Sequence, residues 1–181
     1  KLIKPLFLDE LQTEFQKVKS NKNKLAAFHQ KLGNLKFLDP ACGCGNFLII
    51  TYRELRLLEL EVLKELYGGQ QVIGIDQIML VDVDQFYGIE YDEFPARIAE
   101  VALWLMDHQM NLRISEAFGM YYARLPLKKS ATIVHGNALR TEWTDIVPKT
   151  ELSYILGNPP FVGSKLLKKE QREEMAEIFS K

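Results

Sequence analysis

"LKFLDPACGCGNF" occupies residues 35–47, and the way it is read decides the fold. A short apolar run leads into a loop that carries Gly43 and Gly45. From Phe47 onward, Leu48, Tyr52, Leu55, Leu58, Val62 and Leu66 recur three or four residues apart. Arg53, Arg56, Glu59 and Lys64 take the other side. That spacing predicts an amphipathic helix to Leu66. The glycines of "YGGQ", Gly68 and Gly69, are a natural stop.

The pattern extends in both directions. Upstream, Leu11, Phe15, Val18, Leu25, Phe28 and Leu32 follow helical spacing interrupted at "KSNKNK", which predicts two helices. Downstream come two similar stretches, "VIGID" at 72–76 and "FYGIE" at 86–90, each a short apolar run ending in an acid. A helix is predicted from Pro95 to about Ile114, with Ile98, Val101, Ala102, Leu105 and Leu112 on one side. "ATIVHGNAL" (131–139) reads as strand then turn, and "LSYILGNPPF" (152–161) as strand then stiff loop. A charged helix is expected from Lys165 to Lys181. Strands alternating with helices of this length predict an α/β fold, a mostly parallel sheet with helices on both faces.

Composition sets the outer limits. A chain of 181 residues is enough for one domain of ordinary size, and such a domain buries roughly 70% of its unfolded surface. A hydrophobic share of 47%, a charged share of 26% and a mean hydropathy of -0.12 describe a soluble globular protein. No apolar run approaches the roughly 20 residues of a membrane span. The start, "KLIKPLFLDELQTEF", lacks a signal-peptide pattern. Cys42 and Cys44 are too close for a good disulfide and lack zinc-site spacing, so a reducing, cytoplasmic setting is expected and no metal site. A net charge of -1 argues against a basic nucleic-acid clamp, but leaves room for a nucleic-acid enzyme whose basic surface lies elsewhere.

In a doubly wound sheet, ligands bind beyond the carboxyl ends of the strands. Asp39 to Gly45 sits at the first such end. A dinucleotide fingerprint needs G-x-G-x-x-G, and here Leu48 stands where the third glycine belongs. Asp39 also suits an amine or a cation better than a phosphate. The next strand's acid should hold a ribose through both hydroxyls. Asp76 and Glu90 compete for that task. Glu90 is favoured, because "YGIEYDEFPARIAEVAL" runs straight into a strong helix, whereas "QIMLVDVDQF" after Asp76 looks like an insertion.

"GNPPF" at 157–161 carries the second signal. Pro159 and Pro160 fix φ and remove two donors, which leaves a stiff loop with free carbonyls. Asn158 adds a side-chain carbonyl. Two fixed acceptors can hold both N–H bonds of an exocyclic amine and make its nitrogen more nucleophilic. Phe161 offers a flat face for an extruded base, an interaction of roughly 1–3 kcal/mol. On its own, a Pro-Pro-Phe loop is a rigid turn with its phenylalanine in the core. Asn158 at a strand end, downstream of the glycine loop, favours the functional alternative.

Together these stretches resemble the amino-methylating, S-adenosylmethionine-dependent DNA methyltransferases. "FLDPACGCGNFL" resembles their first cofactor motif, and "GNPPF" their catalytic adenine-N6 motif. "FLIITYRELRLLELEVLKEL" and "FYGIEYDEFPARIAEVALWLMDHQMN" are similar to the MmeI-like type II restriction–modification enzymes, in which one chain joins nuclease, methylase and DNA-recognition regions. The resemblance implies a Rossmann-like class I methyltransferase fold, incomplete on its C-terminal side. It implies an N-terminal helical segment over 1–35, packed on a catalytic core over 36–181. Asp39, Pro40, Ala41, Cys42, Gly43, Gly45 and Phe47 would form the cofactor loop, with Asp39, Ala41, Gly43 and Phe47 lining the methionine end. Glu90 would bind the ribose hydroxyls and Tyr91 would sit beside the adenine. Asn137, with Ala138, falls where the family often places an aspartate on the adenine amine. Asn158, Pro159, Pro160 and Phe161 would hold a target adenine flipped out of double-stranded DNA, with Asn158 also counted among the cofactor-binding residues.

The sequence also departs from the family. No Tyr-Thr-Pro-like cofactor segment precedes residue 39, and no nuclease Pro-Asp…Glu-x-Lys pattern is evident. The expectation is therefore an excerpt of a larger bacterial enzyme, its partners being duplex DNA, reached through a recognition region elsewhere, and the rest of the same polypeptide. Three rivals stand beside it. The first is methylation of another amine, such as cytosine N4, an RNA guanine or a protein glutamine. The second is a cofactor-binding or DNA-docking module without catalysis, and the third, a nicotinamide-dependent oxidoreductase, is weakened by the missing third glycine. His108 and His135 are assigned no role.

Overall fold

The structure, a computed structural model, describes residues 7–68, 75–119 and 130–158, together with 169, 172, 173, 176 and 177. Two helices open it, α1 (Asp9–Val18) and α2 (Lys22–Asn34). Asn21, inside the predicted interruption, caps α2: its side-chain oxygen accepts from Lys24 N at 3.1 Å. Leu11 and Phe15 of α1 and Leu25, Phe28 and Leu32 of α2 are buried. They join one hydrophobic core with the strands that follow.

Strand β1 (Phe37–Asp39) is wholly buried and leads through the glycine loop into α3 (Asn46–Tyr67). Gly68 ends α3 in the left-handed conformation and donates to Lys64 O at 2.8 Å. Gly69 lies outside the described residues, as do 72–74 of "VIGID"; Ile75–Ile78 form a short helix, α4. The strand beside β1 is "FYGIE", β2 (Phe86–Glu90), so Glu90 and not Asp76 ends it. Then come α5 (Glu93–Phe118), β3 (Thr132–His135), α6 (Trp143–Ile146) and β4 (Tyr154–Ile155). The expected charged helix over 165–181 lies largely outside the described residues.

The four strands are all parallel, in the order β3-β2-β1-β4. The chain leaves β1 for β2 on one side and later returns to its other side as β4. That reversal is a topological switch point. Phe37 sets the register there. Its ring stacks on Phe86 at 5.1 Å and on Tyr154 at 5.3 Å, each its direct neighbour across the sheet. Cross-strand aromatic pairs of this kind hold register. Asp39, Glu90 and Gly157 are thereby brought to one end of the sheet.

Side chains alternate across the sheet. Phe37 and Phe86 face the core under α3 and α5. Leu38 and Ile89 face a smaller cluster with Val147, onto which Trp143 and Ile146 of α6 pack.

Two patterns differ from the sequence expectation. Arg56 and Glu59 do not face solvent; both are fully buried. Arg56 Nη1 lies 3.1 Å from Glu59 Oε2, and its Nη2 donates to Asn111 Oδ1 at 2.7 Å. Glu59 Oε1 lies 3.0 Å from His29 Nε2 and accepts from Leu80 N and Val81 N at 2.6 and 2.9 Å. The ion pair is tolerated there because His29 of α2, Asn111 of α5 and the backbone at Leu80 and Val81 supply it with hydrogen bonds. Helix α5 differs as well. It buries Ala96, Ala99, Leu103, Met110, Ile114 and Phe118, the side opposite the predicted apolar line.

Candidate active site

The loop after β1 is closed by backbone and by two acids. Asp39 is buried, and its Oδ1 accepts from Ala41 N at 3.0 Å. Cys42 N donates to Ile89 O at 3.0 Å, which ties the loop to β2. Glu90 accepts from Gly43 N through Oε2 at 2.7 Å and from Asp92 N through Oε1 at 3.0 Å. A carboxylate has about four acceptor positions, so Glu90 keeps capacity for further donors while holding the loop. Asp39 and Glu90 belong to the same sheet face, because Asp39 lies opposite Gly88 and Glu90 is two residues further on.

Burial pushes the Asp39 carboxyl up from its ordinary 3.8 to about 6; the Ala41 N–H opposes that rise and the Glu90 charge adds to it. A buried acid beside a second acid favours a cationic ligand and repels a phosphate. Gly43 and Gly45 have φ of +54° and +80°, the left-handed region that suits glycine. A Cβ at Gly43 would meet nothing within 4 Å, so its need is conformational. A Cβ at Gly45 would stand 3.0 Å from the Cβ of Ala99, so this glycine also lets the start of α3 reach α5.

The other expected residues fall as follows. Pro40, Ala41 and Phe47 are half-buried, and Phe47 packs on the main core. Cys42 turns its sulfur inward, where burial, with the charges of Asp39 and Glu90, pushes the thiol up to about 12. Its Sγ lies 3.7 Å from Gly43 O. Tyr91 is 70% exposed, next to Glu90. Asn137 Oδ1 accepts from Leu139 N at 3.0 Å, and Ala138 O accepts from Trp143 Nε1 at 2.8 Å; together they shape the turn after β3. Gly136 N donates to Glu90 O at 2.8 Å, bringing that turn beside the end of β2. Asn158 is exposed just beyond β4, while Pro159, Pro160 and Phe161 lie outside the described residues. His108 and His135 are exposed.

Two glycines with a part in the site were not singled out from the sequence. A Cβ at Gly88 would stand 2.8 Å from both Cys42 Sγ and Ile133 Cδ1. A Cβ at Gly157 would collide with Asp39 Oδ1. A glycine inside a strand pattern signals close approach of this kind, and "FYGIE" carried that signal.

A parallel sheet reversing at β1, a glycine loop after its first strand and an acid ending its second form the Rossmann-like methyltransferase fold. The chain belongs to the MmeI DNA-methyltransferase domain family, whose profile matches residues 15–181. It is 42% identical, over its whole length, to DNA methyltransferase A of Bacillus subtilis (strain 168) and spans 21% of that protein. A putative type II restriction enzyme and methyltransferase of Methanocaldococcus jannaschii is 33% identical over 54% of the chain, which covers 8% of that protein. Among solved structures, the type IIL restriction–modification enzyme MmeI in complex with DNA matches 99% of the chain with a TM-score of 0.94 and 60% identity. The chain spans 24% of that MmeI polypeptide.

Proposed function

We propose that the chain is the methyl-transferring part of a site-specific DNA methyltransferase within a restriction–modification enzyme. Its donor in this proposal is S-adenosylmethionine and its target the N6 amine of an adenine flipped out of the duplex. One observation carries the proposal: β4 delivers Gly157 against Asp39, with Asn158 next in the chain, so the glycine loop and the start of "NPPF" share one end of the sheet.

The residues suit the donor's charge. Bound S-adenosylmethionine supplies a methyl group on a positively charged sulfur. Asp39 would face the ammonium group, which favours its ionised form. Glu90 would accept from the ribose hydroxyls while keeping its bonds to Gly43 and Asp92. Tyr91 would lay its exposed ring beside the adenine, and the turn at Asn137 and Ala138 would border the same ring.

At the target, Asn158 Oδ1 and the Pro159 carbonyl would accept the two N–H bonds of the amine. No strong base is needed while the amine is neutral; its surplus proton leaves to solvent after transfer. Positioning and fixed dipoles would supply most of the acceleration. Phe161 would stack on the extruded base, offsetting part of the few kcal/mol that unstacking costs. The roles of Pro159, Pro160 and Phe161 rest on the sequence motif alone.

The test uses the full polypeptide containing these residues. It is incubated with unmethylated plasmid DNA and S-adenosylmethionine bearing a labelled methyl group, and the DNA is digested to nucleosides for mass spectrometry. N6-methyladenine is expected, with loss of at least about a hundredfold in rate for Asn158→Ala and unchanged cofactor affinity. Label in cytosine or in protein, or an unchanged Asn158→Ala rate, would refute it.

A further inference from the structure

Helix α5 is apolar on two sides, and only one of them is covered. Opposite its buried face, Phe94, Val101, Leu105 and Leu112 are between 46% and 77% exposed. Ile98 is half-buried in the same line. At 3.6 residues per turn these five side chains fall within about 60° of one another around the helix and span about 27 Å along it. Trp104, 42% exposed, flanks them. No Asp, Glu, Lys or Arg interrupts the line between Phe94 and Leu112; Arg97, at its margin, lies near Glu93 and Glu100. The line is unbroken from Phe94 to Leu105; exposed His108 and Gln109 stand between Leu105 and Leu112. A cluster of exposed apolar side chains of this kind marks a contact surface.

We infer that this stripe is the seat of another part of the same polypeptide, from outside residues 1–181. The first support is length: the chain spans 21% and 24% of two relatives that carry this domain within much longer polypeptides. The second is chemistry. Permanent interfaces resemble a core cut in two, and a line without charges fits that kind. DNA is a poor occupant, because its phosphates call for Lys and Arg. The third is proximity in the chain, since a tethered segment meets the stripe at an effective concentration near millimolar, an advantage a second copy lacks. The stripe begins at Phe94, four residues after Glu90, so its occupant would border the mouth of the site.

The experiment places the photo-cross-linker p-benzoylphenylalanine at position 105 of the full polypeptide and, as a control, at position 113, where an exposed arginine lies off the stripe. After irradiation, adducts are mapped by mass spectrometry. The expected result is an intramolecular adduct from position 105 to a residue outside 1–181, in yield severalfold above that from position 113. An adduct between two copies, an adduct confined to residues 1–181, one to added duplex DNA, or a yield equal to the control would overturn the inference. Circular dichroism of both labelled proteins, matched to the unlabelled one, establishes that the fold is kept. The readout is independent of methyl transfer, so it stands or falls apart from the proposed activity.

Discussion

Gly157 leaves the space that the carboxylate of Asp39 fills, the two residues being 118 positions apart (157 less 39) and brought together by the parallel pairing of β1 and β4. A Cβ at 157 would stand 3.0 Å from Asp39 Cγ and closer still to Oδ1. The buried acid of the glycine loop and the strand end that presents Asn158 are therefore one mechanical unit. A change in either moves the other.

Gly157→Ala should displace Asp39 or the start of the "NPPF" loop. Overpacking of this kind costs about 1–3 kcal/mol, which a urea denaturation curve would show. Calorimetric titration should show at least about a tenfold loss of S-adenosylmethionine affinity, equivalent to roughly 1.4 kcal/mol. Unchanged stability and affinity together would mean that the contact is easily relaxed.

Asp39 should make cofactor binding depend on acidity. A cationic ligand needs the carboxylate ionised, and its carboxyl sits at about 6. Affinity should be level at pH 8 and fall about tenfold per pH unit well below 6. Stability runs in the opposite sense. The folded group holds its proton more tightly than the unfolded one at 3.8, so its charge destabilises the fold above pH 6, and that effect fades between 6 and 3.8. Asp39→Asn should thus raise the melting temperature of the cofactor-free protein at pH 8, with the gain vanishing below 3.8, while weakening cofactor binding. A gain independent of pH would contradict this origin.

The two loop glycines should rank. Gly43→Ala meets open space and incurs only the left-handed backbone penalty, about 1–2 kcal/mol. Gly45→Ala adds a contact 3.0 Å from Ala99 Cβ and 3.2 Å from its Cα, so it should cost about 1–3 kcal/mol more. Chemical denaturation midpoints would expose a reversed order.

Glu59→Ala should destabilise the protein by about 3–5 kcal/mol, because it leaves the Arg56 charge buried without its acid. It also strips the shared acceptor from Leu80 N and Val81 N. The double change Arg56→Leu with Glu59→Leu should cost less than Glu59→Ala, since no lone charge then remains buried. A thermodynamic cycle with strictly additive costs would refute that coupling.

Much of the fold is legible in local pattern. Apolar spacing and the Gly68 stop mark α3 to within a residue at each end, and the interruption at "KSNKNK" separates α1 from α2, because each signal is local. The direct run of "FYGIE" into a helix favours it over "VIGID" as the second strand, and β2 is the neighbour of β1. The buried side of α5 was not legible. Both of its sides are apolar, so periodicity gives no preference and only packing against α3, β2 and β3 selects one. Arg56 and Glu59 misled for a related reason: charge predicts exposure unless partners distant in sequence neutralise it, and His29, Asn111 and Val81 come from elsewhere in the chain.

The sequence by itself determined the α/β alternation, the glycine loop, the acid of the second strand and the asparagine–proline signal, because each depends on neighbours a few residues apart. Only the tertiary structure decided that Glu90 holds Gly43, that Gly157 leaves room for Asp39, and that the exposed side of α5 is a line without charges. Those facts depend on strand order and register, which arise when distant segments compete to bury the same surface, and no local spacing encodes that competition.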